Sequence, residues 1–219
     1  MILGIHNWAE IAGALTCTLC IIYKPSMLNR WFVLFLWTTV LVELMGKLTT
    51  SNPGIKIPMY NFFNGIEFTF YLSIFLFISE KLLFKIILRI CLGLFILFFL
   101  YNLIFLQGLY TYNNHTHTFG AAIIIFVCLL MFYQLSASET EYFSFLKRPL
   151  LFIISGLLMY YSGNIFNTSM LNYMAKNDAI EAVRLYKLIN HSLNVILYGS
   201  FCIGFIFEVV KRKIYIQKK

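Results

Sequence analysis

The sequence predicts an all-α polytopic membrane protein, a seven transmembrane helix bundle with its N-terminus out and its C-terminus in. Three observations carry this reading. The 219 residues are 60% apolar and 12% charged, too few polar side chains to cover a soluble globule. The chain falls into seven apolar runs divided by short polar or proline-bearing segments. The 17 Lys and Arg divide unevenly: Lys24, Arg30, Lys81, Lys85, Arg89, Lys147, Arg148, Lys211, Arg212, Lys213, Lys218 and Lys219 share one side, and Lys47, Lys56, Lys176, Arg184 and Lys187 the other. The side richer in basic residues faces the cytoplasm, which places the tail inside.

The chain reads as one domain over residues 1–219. The first span is 8–23. MILGIHNW lacks the basic start and small-residue cleavage site of a signal peptide, so this run is expected to be retained. Lys24-Pro25-Ser26 ends it, and 31–48 is the second span, with Thr39, Glu43 and Lys47 on one face. The linker TTSNPGIKIP, with two prolines and a glycine, is expected to break the helix before the third span, 60–79. The fourth span is 83–106, followed by QGLYTYNNHTHT as a polar, aromatic loop, and the fifth is 118–138, ended by SETEYFSFLKRP. The sixth is 150–169. MLNYMAKNDAIEAVRLYK then reads as a short amphipathic helix capped near Asn177 or Asp178, before the seventh span, 188–210, and the tail KRKIYIQKK.

A formal net charge of +8 is accounted for by topology and by anionic headgroups at Lys147-Arg148 and Lys211 to Lys213, so lipid rather than nucleic acid is the expected partner. Trp8 and Trp31 would sit in the interfacial belts. The cysteines Cys17, Cys20, Cys91, Cys128 and Cys202 lie inside apolar runs and form no disulfide framework. The CxxC of Cys17 and Cys20 is mid-helix without a partner pair, so no metal and no cofactor is expected.

The functional signal is polar residues at a shared depth. Asn61, Asn64, Glu67 and Tyr71 fall within an arc of about 120°, giving an otherwise greasy helix one polar stripe. Asn190, His191, Asn194 and Tyr198 form another, within about 100°. Glu10, Glu43, Asn164 and Asn167 also belong to the outer parts of their spans, whereas inner segments such as LSIFLFIS and SFCIGFIF are nearly all apolar. This asymmetry predicts an outward-facing polar cup that binds an unknown small ligand through Glu43, Asn64, Glu67, Tyr71, Asn164, Asn190, His191, Asn194 and Tyr198. Glu67 and His191 would be the charge-bearing anchors, the asparagines hydrogen-bonding groups, and Tyr71 with Tyr198 the floor. Glu43 has Lys47 at i+4 as a local answer; Glu67 has none in its own helix.

LWTTVLVELMGKL, YNFFNGIEFTFY, LFIISGLLMYYSGNIF and INHSLNVILYGSFCIGFIF resemble the corresponding spans of a group of uncharacterised bacterial seven-helix membrane proteins, some encoded near sensor histidine kinases. The resemblance implies a bacterial inner membrane and a signalling context. The expected function is therefore a sensory or receptor-like module acting through a separate cytoplasmic or membrane signalling protein. A structural or assembly subunit is the alternative, because buried amides also serve as glue between helices. A metal-dependent hydrolase using His115, His117 and His191 with Glu43 and Glu67 is less favoured, since no HExxH or HxxxH spacing is present. A carrier lacks a charged path through the inner leaflet. A retinal protein would need a lysine in the middle of the last span, where Lys187 is only at its lip.

Overall fold

A computed structural model describes residues 4–23, 26–137, 149–174 and 179–217, giving the backbone alone for 137, 169–174, 179 and 211–217. It contains seven long helices: α1 Ile5–Tyr23, α2 Met27–Leu48, α3 Pro53–Ile78, α4 Leu82–Tyr101, α5 Asn114–Ala137, α6 Pro149–Met174 and α7 Ala179–Gln217. No strand occurs among the described residues. All seven helices are long and apolar enough to cross a bilayer, and the exposed positions include many large apolar side chains, such as Leu34, Leu97 and Phe105. A helix in lipid satisfies its backbone within itself and turns such side chains outward. The chain is a multi-pass helical membrane protein.

Three expectations about boundaries are corrected. The linker before the third span shrinks to the turn at Thr49–Asn52, because α3 begins at Pro53 and runs through Pro58. Pro53 is at the first helical position, where a missing N–H costs nothing. Pro58 leaves only the Gly54 carbonyl without its helical donor, and Gly54 lies in an exposed first turn where solvent can reach it. The polar loop after the fourth span is also shorter than expected. Asn113 accepts the His117 N–H at 3.1 Å, so α5 already includes His115 and His117. The amphipathic segment before the seventh span is not a separate helix but the first turns of α7. From Ala179 to Tyr198 there is neither Gly nor Pro, so the change in polarity near Lys187 does not interrupt the backbone. The caps expected at Asn177 or Asp178, and the charged segment 138–148, lie outside the described residues.

The helices form two compact units, Met1–Val40 with Cys128–Lys219, and Leu41–Val127. In the first, α6 and α7 approach through small residues. A Cβ at Gly156 would meet Ser200, one at Gly163 would meet Leu193, and one at Gly204 would come within 3.0 Å of the Pro149 carbonyl oxygen. Such positions let backbones close up where apolar lipid gives helices little reason to associate. Gly13 of α1 receives the ring of Tyr198, and Phe32 of α2 packs edge-on against Phe201 and Phe205 of α7.

In the second unit the fully buried Phe68 of α3 is the hub. Its ring centroid lies 5.2 Å from Phe95 of α4 and 5.7 Å from His117 of α5, and it covers Gly120. One turn earlier Gly65 receives the ring of Phe99. Beyond Tyr101 the α4 backbone continues as a π-helical turn, Asn102–Leu106, in which the Asn102 carbonyl accepts from Gln107 N–H at 3.0 Å. Gly108 then takes φ of 75°, a left-handed conformation open to glycine at no steric cost, and the chain reverses toward α5.

Candidate functional site

The nine sequence-predicted residues divide between the units: Asn164, Asn190, His191, Asn194 and Tyr198 belong to the first, and Glu43, Asn64, Glu67 and Tyr71 to the second.

In the first unit, the stripe on α7 deepens inward as its spacing predicts. His191 is exposed, Asn190 and Asn194 are half-buried, and Tyr198 is buried against Gly13. What meets it comes from the start of α1. His6 stacks on His191 with ring centroids 3.9 Å apart and planes 15° from parallel. One residue on, Asn7 is buried; its Oδ1 accepts the Gly4 N–H at 3.2 Å and its Nδ2 donates to Glu10 Oε2 at 3.3 Å. Glu10 is only 4% exposed. Helical spacing puts His6, Asn7 and Glu10 on one face. The result is an exposed imidazole stacked on a half-buried one, with a buried carboxylate one turn further along α1.

Several of the unit's asparagines are occupied locally. Asn194 Nδ2 donates to the Asn190 carbonyl of its own helix at 3.0 Å. Asn167 Nδ2 donates to the Tyr186 carbonyl at 3.1 Å, tying α6 to α7, and the buried Asn164 accepts from the Thr168 hydroxyl through its carbonyl at 2.9 Å.

In the second unit, Glu43 Oε2 accepts from the Tyr60 hydroxyl at 3.3 Å, a partner from α3 that its own helix does not reveal. Asn64 and Glu67 are half-buried, and Tyr71 is 1% exposed beside Phe70. Asn61, the first member of the stripe, reaches the α4–α5 loop. Its Nδ2 donates to the carbonyls of Leu109 and Thr111 at 2.8 and 2.7 Å, and its Oδ1 accepts the Asn113 N–H at 3.0 Å. One side chain thus straps the α4–α5 loop to α3.

Behind that strap Asn102 Nδ2 donates to Gln107 Oε1 at 3.0 Å and to Thr116 Oγ1 at 2.8 Å, and also meets Asn113 Oδ1. Asn102, Asn113 and Thr116 are almost fully buried. Sequence reasoning missed this cluster, yet a signal was present: Asn102 is the one amide in the greasiest span, and an amide in hydrocarbon must find partners. It missed His6 as well, for which sequence offers no signal, because the partner of a helix-end side chain is set by tertiary packing.

Among the described residues no three His, Cys, Asp or Glu side chains are grouped so that they could hold a metal ion. His115 is exposed on α5, whereas His117 packs under Phe68. None of the five cysteines is in a disulfide, and four of them are buried. No family model, curated protein or solved structure matches the chain.

Proposed function

We propose that the chain is a receptor-like module of a bacterial inner membrane. It takes a small ligand at the end of the bundle that carries its N-terminus, facing away from the cytoplasm, and passes the change to a separate cytoplasmic or membrane signalling protein. The observation that carries this reading is the layer where α1 meets α7: His6 stacked on His191, with Asn7 and the buried Glu10 beneath. An amide contact between helices contributes about 0.6 kcal/mol and needs no ionisable acid, whereas a carboxylate at depth costs several kcal/mol. Imidazole nitrogens above a carboxylate suit a ligand that brings a hydrogen-bond donor or a positive group. His191 keeps the anchoring role expected of it, and within its own unit Glu10 supplies the acid.

A specific observation also favours the assembly subunit. Asn61, Asn167 and Asn194 spend their amide N–H groups on backbone carbonyls, as glue would. The two readings part on substitution. In a host lacking the chromosomal copy, Glu10→Gln or His191→Gln in a module that still reaches the membrane should abolish the transcriptional response restored by the unaltered chain. A response kept by both variants would leave the assembly subunit as the function.

A further inference from the structure

We propose that the turn joining α4 to α5 holds one internal water, bridging Asn102 Oδ1 and Asn113 Nδ2. These two atoms are buried and have no hydrogen-bond partner, in residues that are 0% and 2% exposed. They are the far ends of two amides that meet, Asn102 Nδ2 lying beside Asn113 Oδ1, which leaves over one amide oxygen and one amide NH₂. Reversing both amides leaves the same remainder, one acceptor and one donor.

Neither group can turn to solvent for relief. Asn113 is fixed by its backbone N–H on Asn61 Oδ1 at 3.0 Å, and Asn102 sits in the π-helical turn with its Nδ2 on Gln107 and Thr116. A molecule that satisfies both must accept from a nitrogen and donate to an oxygen with a reach of about 2.8 Å each way. Water does this, and buried waters typically occupy sites where polar groups would otherwise go unpaired. The bridge would join the end of α4 to the start of α5, completing from the inside the closure that Asn61 makes from α3. It does not depend on the receptor reading.

A map of the full unaltered chain in lipid nanodiscs, at a resolution that resolves ordered water, tests the site. The expected result is a single round peak about 2.8 Å from both amide atoms. Three results would overturn it: no peak, an elongated peak that one water cannot fill, or a peak at about 2.4 Å from several oxygens, as for a cation. A second measurement uses Asn102→Leu, Asn113→Leu and the double variant. Because the bridge needs both amides, the fall in Tm of the double variant should be clearly smaller than the sum of the single falls. Additive falls would overturn the bridge.

Discussion

Tyr60 reaches Glu43 because residue 46 is glycine. The Tyr60 hydroxyl donates to Glu43 Oε2 at 3.3 Å, and a Cβ at position 46 would collide with that hydroxyl and ring. A carboxylate near the end of a membrane helix is thereby answered from the neighbouring helix, and the answer depends on an atom that is absent from a third residue. Gly46→Ala should displace the ring and cost about 1 to 3 kcal/mol, the usual range for overpacking. Thermal unfolding of G46A, Y60L and the double variant measures this. The double variant should lose less than the two singles together, because Leu vacates the space the methyl group needs.

The strap made by Asn61 is open to a sharper substitution. Asn61→Asp keeps the shape but replaces an NH₂ that serves two carbonyls with an oxygen that faces them. The expected cost is about 1 to 3 kcal/mol, concentrated in the loop. Hydrogen exchange at Leu109 to Asn113 should rise in N61D before any change appears in α6 or α7. Uniform exchange across the chain would mean that the loop is not held by this side chain.

Glycines facing backbone and glycines facing space should respond oppositely to the same methyl group. At Gly204 a Cβ would lie 3.0 Å from the Pro149 carbonyl oxygen, an atom that cannot move without moving α6. At Gly199 nothing beyond its two chain neighbours and the nearby backbone of its own helix lies within 4 Å of the Cβ position. Gly199→Ala should stabilise the protein by up to about 1 kcal/mol through helix propensity, and Gly204→Ala should destabilise it. Tm values in one detergent decide the matter, and the same sign at both sites would contradict the packing described for α6 and α7.

These responses trace how far the sequence alone could be read. Seven spans were legible because lipid leaves a helix no alternative and marks each with an apolar run. The stripe from Asn190 to Tyr198 was legible because its spacing alone puts the four residues on one face, with Tyr198 the most buried. The start of α3 was not, because Pro53 stands at the first helical position, where its missing N–H costs nothing, and Pro58 forfeits only the bond to the Gly54 carbonyl in the exposed first turn. Nor was the partner of His191. His6 stacks on it within the first unit, and nothing local in MILGIHNW encodes that meeting. The Asn102 cluster lay between: the cost of its amide could be read, and the identity of the groups that repay it could not.

The stacked imidazoles allow packing to be separated from recognition. His6 and His191 lie nearly parallel at 3.9 Å, a geometry that two phenyl rings can also adopt in offset form. Replacing both, His6→Phe with His191→Phe, keeps an aromatic pair of similar size, worth about 0.5 to 1.5 kcal/mol, and removes every ring nitrogen. If the nitrogens serve a ligand, the double variant should unfold within about 1 kcal/mol of the unaltered chain while its transcriptional response is lost. If the pair is only a clasp between α1 and α7, the response should persist, and His6→Ala should weaken stability and response together by opening the clasp. Thermal unfolding and the response measured on the same membranes distinguish the two, since only recognition separates the loss of one from the loss of the other.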